Sequence, residues 1–297
     1  MRITRVGDLR GRTFESRAGV TAFLAGVWLI AAPPVLHFSA SQHAFRPYWW
    51  SMGLAVVVML LGMVRAMAPL DVPLAQPIRL AVPEEFAAAS FTERRELGIL
   101  GIGGAGQVQV DGTIHQLGKR DMLYVGRGAH EIIFSSESAA DPARFFLVSY
   151  PSHAEHPTVR IGAADAEAVE LGSQDRANRR RLARYIHQGG ARSSQLVMGV
   201  TALQEGSVWN TMPPHTHVRR TEIYLYFDLP ADAVVFHLLG TPDATQHIVV
   251  RDGEVALSPS WSIHSGCGTT NYTFCWAMGG ENQEFADMQG FDMSLLR

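Results

Sequence analysis

The sequence predicts a mainly β body of two small barrels in tandem, preceded by a two-helix membrane hairpin. Three observations carry this reading. Long uncharged apolar runs are confined to the first seventy residues, and short β-branched and aromatic runs between glycine turns fill the rest. An internal echo then lays the second half of the body over the first.

No charged residue lies between Arg17 and Arg46, a span that includes AGVTAFLAGVWLIAAPPVLHF, and none lies between Arg46 and Arg65, where PYWWSMGLAVVVMLLGMV sits. A helix needs about 20 apolar residues to cross a bilayer, so both runs are candidate spans. Tyr48, Trp49 and Trp50 stand where an interfacial aromatic belt would stand. The leader carries Arg2, Arg5, Arg10, Arg12 and Arg17 against Asp8 and Glu15, so the N-terminus is expected on the cytoplasmic side. Residues 1–70 are therefore expected to form a transmembrane helical hairpin, with residues 18–70 anchoring a cytoplasmic body to the inner face of the membrane. The competing reading of both runs is a buried helical pair.

After the proline-rich PLDVPLAQP come LGILGIGG, GQVQVDG, DMLYVG, EIIFSS and RFFLVSY, and later SQLVMGVTAL, EIYLYFDL, VVFHLLG, HIVVRDG and YTFCWAMGG. Their lengths and turns fit strands of a sandwich or barrel, and VDG and RDG read as tight hairpins. Residues 71–162 are expected to form the first barrel and residues 191–297 the second. Residues 163–190 are polar and Arg-rich, and read as a partly helical connector. Within it, NRRRLAR reads as a solvated face, with contact to an anionic substrate or a neighbouring subunit as the alternative. The echo aligns TERRELGILGI (92–102) with HVRRTEIYLYF (217–227) and LYVGRGAHEIIF (123–134) with LSPSWSIHSGCG (257–268).

Composition removes several function classes. Residues 1–70 hold seven arginines against two carboxylates, so a chain of formal net charge −3 has an acidic body, which argues against nucleic acid as a partner. The two cysteines, Cys267 and Cys275, form no CxxC and no disulfide framework. Lys119 is the single lysine, which leaves Schiff-base chemistry little footing.

The chemistry concentrates in WNTMPPHTHVRRTEIYLYFD, residues 209–228. Side chains alternate along an extended chain, so His215 and His217 point the same way. Glu222 follows beyond the Arg219–Arg220 bend, and His264 in SPSWSIHSG is the best fourth donor. Three imidazoles and one carboxylate suit Zn, Fe, Mn, Co or Ni. The first half has no HxH, so a metal is expected in the second half alone. His237 and His247 read as ordinary core or surface residues.

This spacing in a duplicated β-barrel is the cupin pattern. The segments FTERRELGILGIGGAGQVQVDG, DMLYVGRGAHEIIF, NRRRLARYI, SVWNTMPPHTHVRRTEIYLYFD and SPSWSIHSGCGTTNYTFCWAMGGENQ closely resemble the 5-keto-4-deoxyuronate isomerase family, the 4-deoxy-L-threo-5-hexosulose-uronate ketol-isomerases of pectin breakdown. The resemblance runs from about residue 76 to the C-terminus. It implies a bicupin fold, a homohexamer and one Zn2+ per chain, held by His215, His217, Glu222 and His264, with another divalent ion as the alternative. It also implies a small keto-deoxyuronate substrate. The N-terminal hairpin departs from the family, whose members begin with soluble residues that help build the first barrel.

The implied reaction moves a carbonyl by one carbon and needs a group within reach of the transferred proton. Glu222, Tyr224 and Glu281 are the candidates, and Arg219 or Arg220 is the near choice for the substrate carboxylate. A structural role for that arginine pair is the competing reading, because Arg94–Arg95 occupies the same place in the other half. Two rival functions are a non-catalytic membrane-tethered cupin that binds sugar acids and another cupin metalloenzyme, such as an iron dioxygenase.

Overall fold

The computed structural model describes residues 70–72 and 77–297. The expected hairpin of residues 1–70 lies outside them, apart from Leu70, which belongs to a strand. Among the described residues no helix is long and apolar enough to cross a membrane. The helices there are two three-residue 3-10 turns, Glu84–Phe86 and Met293–Leu295. The body is mainly β, as its alternating β-branched and aromatic runs require.

The first nine strands are β1 (Leu70–Val72), β2 (Ile78–Arg79), β3 (Arg95–Gly101), β4 (Gly106–Val110), β5 (Thr113–Leu117), β6 (Met122–Val125), β7 (Ile132–Ser136), β8 (Ala143–Pro151) and β9 (Val159–Ile161). They form one sheet ordered β1-β8-β3-β6-β9 and a second ordered β2-β7-β4-β5. The faces meet through apolar side chains, with the Phe134 and Phe145 rings 5.4 Å apart. The strand β4 alternates buried and half-buried residues, as a strand with one face in a core must.

The remaining strands are β10 (Glu167–Leu171), β11 (Arg180–Ile186), β12 (Val197–Leu203), β13 (Trp209–Thr216), β14 (Arg220–Phe227), β15 (Val235–Thr241), β16 (Ala244–Val250), β17 (Val255–Ser258), β18 (His264–Gly268), β19 (Thr273–Gly280) and β20 (Gln289–Gly290). They form sheets ordered β10-β11-β12-β19-β14-β17 and β16-β15-β18-β13-β20. One core cluster joins these two sheets, with Tyr224, Tyr226, Phe274 and Trp276 from the first and Val235 from the second.

The Arg-rich segment corrects the expectation of helix. It is strand, with β11 running antiparallel to β12 from Arg180↔Leu203. Arginines at 180, 181 and 184 concealed the period of two: Ala183 and Tyr185 are buried on one face while Arg180, Leu182 and Arg184 share the other. Pairing with β12 decided the outcome, because local propensity is weak beside a full ladder of hydrogen bonds. The echo survives folding. Strand β3 lies between β8 and β6 as β14 lies between β19 and β17, and Arg95 and Arg220 open the two strands.

The two halves meet across β3 and β12. A Cβ on Gly98 would lie 2.7 Å from Met198 Sδ and 2.9 Å from Leu196 Cδ2, so a side chain there would force the strands apart. Beside it Glu96, fully buried, accepts hydrogen bonds from the backbone N–H groups of Ser194 (2.6 Å), Gln195 (2.7 Å) and Leu196 (2.7 Å) and from the Tyr124 hydroxyl (2.8 Å). Three successive N–H groups make a concave anion nest, here filled by a carboxylate from the other half. Lys119 and Arg120 add ion pairs to Asp228 at 2.5 and 2.6 Å. Replacing Glu96 by Gln leaves part of the nest unsatisfied and is expected to cost about 2–4 kcal/mol. An unchanged urea midpoint in the Glu96→Gln protein would contradict this account.

Candidate metal centre and cavity

His215 is the penultimate residue of β13, His217 follows the strand, Glu222 lies in β14 and His264 opens β18. The register between β13 and β18 brings the first and last of these together. β13 pairs Asn210 with Gly266 and next pairs His215 with His264, so its chain bulges outward through Thr211-Met212-Pro213-Pro214. Neither proline can donate to the ladder, and Thr211 takes a left-handed φ of 53°, uncommon for a β-branched residue. Backbone strain of this sort collects where surrounding structure fixes it, often at functional sites. A turn closed by the Arg220 N–H on the His217 carbonyl then reverses the chain into β14.

One donor atom from each of the four residues lies within 4.8 Å of all the others, the one such group among the described residues. His215 Nε2 is 3.1 Å from His217 Nε2 and 3.0 Å from His264 Nε2. Glu222 Oε2 is 3.1 Å from His217 Nε2 and 3.0 Å from His264 Nε2. These lengths suit hydrogen bonds, yet Glu222 Oε2 is buried without one.

The outer ring nitrogens explain why. His217 Nδ1 lies 3.0 Å from the Asp287 carbonyl, an acceptor, so Nδ1 carries the proton there. The Arg220 Nη2 donates to the same carbonyl at 2.9 Å, which makes its 3.2 Å approach to His217 Nδ1 a contact between neighbours on one acceptor. The His264 Nδ1 lies 3.1 Å from Ser258 Oγ, whose hydroxyl is placed to donate to the Ser262 carbonyl. With both Nδ1 atoms protonated, the Nε2 lone pairs face the carboxylate oxygen. Lone pairs held at 3 Å need a cation between them, and outward hydrogen bonds of this kind are what orients imidazoles for metal binding. Burial, then the charges of His217 and Arg220, lowers the His215 pKa to about 3. Burial, then His215 and His217, also holds His264 well below its usual value. Neutral imidazoles are the form that binds metal. The donor set therefore fits one divalent ion.

The site opens on a cavity of about 250 Å³ lined by His215, His217, Glu222 and Tyr224, with Phe274 and Trp276 among its apolar walls. Tyr224 is buried two residues from Glu222 on the same face of β14, and burial followed by the Glu222 charge raises its pKa well above the ordinary value. The other sequence candidates lie elsewhere. Glu281 is exposed, and its backbone N–H donates to the Arg219 carbonyl. Arg219 is turned to Asp287, bridging both carboxylate oxygens. Arg220 is fully buried behind His217, with Nε and Nη1 unpartnered. None of these three lines the cavity, because the turn at 217–220 points Arg219 outward and packs Arg220 under the imidazole.

Sequence reading passed over Asp287 and Ser258, and reached Arg180 only within NRRRLAR, where contact with an anionic substrate is the alternative reading. The first two sit in loops or strand ends without a motif. In the first half the echo places Ser90, Thr92 and Leu97 opposite His215, His217 and Glu222, which leaves no donor set there. His130, opposite His264, is exposed and takes the Asp111 carboxylate on its backbone N–H.

The model of the KduI/IolB family matches residues 62–293. A curated relative from Lachnoclostridium phytofermentans, named 4-deoxy-L-threo-5-hexosulose-uronate ketol-isomerase, is 50% identical over 76% of this chain and 82% of its own. A relative of the same name from Kineococcus radiotolerans is 52% identical over the same shares. The crystal structure of an IolB-like protein from Salmonella typhimurium LT2 superposes with a TM-score of 0.62 at 15% identity, over 75% of this chain and 85% of that one, a likeness of fold.

Two outcomes are expected. The protein should bind one divalent ion per chain, and His264→Ala or Glu222→Gln should abolish stoichiometric binding in calorimetry while the first-half fold persists. Acid should also destabilise the metal-free protein. His215 and His237 titrate near 3 and about 4 in the folded chain, against an ordinary 6.5 when unfolded. Below about pH 6.5 the unfolded chain binds protons that the native chain refuses, so stability falls from there towards pH 4. A melting temperature in chelator whose acid slope is the same in His237→Gln would refute the assignment to His237.

Proposed function

The chain belongs to the KduI/IolB family, and from that membership we propose that it is a metal-dependent ketol-isomerase of bicupin fold. Its substrate is 5-dehydro-4-deoxy-D-glucuronate and its product 3-deoxy-D-glycero-2,5-hexodiulosonate, as in uronate breakdown. The observation that carries the reading is the unpartnered Glu222 oxygen among three imidazole nitrogens, at the wall of a cavity of about 250 Å³. Half-identical relatives bearing the isomerase name supply the reaction.

His215, His217, Glu222 and His264 would hold one Zn2+, which supplies Lewis-acid polarisation of a carbonyl and its neighbouring hydroxyl. The rest of the chemistry falls to the chain. A proton leaves the hydroxyl-bearing carbon and returns to the former carbonyl carbon, while the hydroxyl proton passes to the former carbonyl oxygen. Glu222 is the one carboxylate on the cavity wall, and it would take the carbon-bound proton and give it back through an oxygen that does not hold the ion. Tyr224, with its phenol protonated, donates to the oxygen that gains charge and recovers a proton from its neighbour.

The test is turnover of the keto-deoxyuronate by the full chain. Activity should disappear with chelator and in His215→Ala, and return with Zn2+ only in the wild type. Tyr224→Phe should lose about 10²-fold in kcat with metal content unchanged. Full activity after complete metal removal would sink the reading.

A further inference from the structure

The substrate named above carries a carboxylate, and the two arginines nearest the ligands in sequence are occupied elsewhere. Arg219 is bound to Asp287 and Arg220 lies beneath His217. A carboxylate entering a cavity walled by Leu171, Leu182, Phe274 and Trp276 loses hydration that these side chains do not replace. One cation stands on that wall, Arg180. We propose that Arg180 binds the substrate carboxylate and so sets the specificity of the site for sugar acids, an inference that rests on the isomerase reading.

Three further observations support it. Among the described residues no carboxylate pairs with Arg180, whereas the neighbouring Arg184 is held by Glu167 and stacked on Phe285. The hydrogen bond Arg180 does make, Nη1 to the Asn178 carbonyl at 2.8 Å, fixes one arm of the guanidinium and leaves the other arm free to meet an anion. Strand geometry places it: Leu182, on the same face of β11, pairs with Thr201 of β12, and Thr201 pairs with Phe274 of β19, all three on the cavity wall. Arg180, the first residue of β11, stands two residues before Leu182 on the same face, opposite Leu203 of β12. The metal donors and Arg180 thus share one cavity, able to receive the carbonyl and carboxylate of one open-chain molecule at different parts of its wall.

The experiment compares wild type with Arg180→Met, which keeps the apolar stem, and Arg180→Lys, which keeps the charge without the fork. Steady-state kinetics with the keto-deoxyuronate and calorimetric binding of D-glucuronate are both measured, beside metal content and melting temperature. Arg180→Met should raise KM about 10- to 100-fold, with kcat within about threefold, and Arg180→Lys should recover part of the loss. An unchanged KM in a folded, metal-replete Arg180→Met protein overturns the proposal and leaves the isomerase reading standing. A fall in kcat at constant KM also overturns it, because the residue would then act in the chemical step. A wild type without turnover removes the isomerase reading, and glucuronate then decides. Weaker binding by Arg180→Met supports an anion-binding role, while equal binding or none in either protein overturns it.

Discussion

A buried carboxylate oxygen that receives no hydrogen bond is costly, and at Glu222 the nearest polar atoms are imidazole nitrogens turned to it lone pair first. That repulsion is built in by the outer hydrogen bonds of His217 and His264, to the Asp287 carbonyl and to Ser258. The surrounding structure follows from holding these four groups together. Residues 211–214 leave the ladder so that His215 can face His264, the 217–220 turn supplies Glu222 from the next strand, and Asp287 comes back from the C-terminal segment to prop His217. A divalent ion among these donors would convert the repulsion into coordination.

The second half does not stand alone in producing that arrangement. Sheet β10-β11-β12-β19-β14-β17 carries Glu222 and Tyr224 on its inner face, and its strand β12 is fixed from the other side by Glu96 and by the close approach at Gly98. The first half lacks a donor set yet anchors the strand ladder that ends in the ligands. One half carries the donor group and the other does not, with Leu97 in the place of Glu222.

Much of the site was legible before folding because its donors obey simple periodicities. His215 and His217 share a face by strand alternation, and an echo between halves singled out the half with HxH. Arg219, Arg220 and Glu281 were nominated by nearness in sequence, and the fold sets none of them on the cavity wall. A four-residue turn is enough to send one arginine out to Asp287 and the next under an imidazole, and neither direction is coded by a period. Arg180 was hidden for the opposite reason: three arginines in a row look solvated until a neighbouring strand assigns alternate faces.

The sequence by itself determined the β character of the body, its internal echo and the four residues that gather as one group able to hold a metal, since each depends on spacing along a single extended chain. Tertiary structure alone decided the β11 strand in place of helix, the proton positions on the imidazoles and the cation that faces the cavity. Those depend on which backbone carbonyl, strand or loop arrives from a distant part of the chain, and no local pattern of residues specifies that arrival.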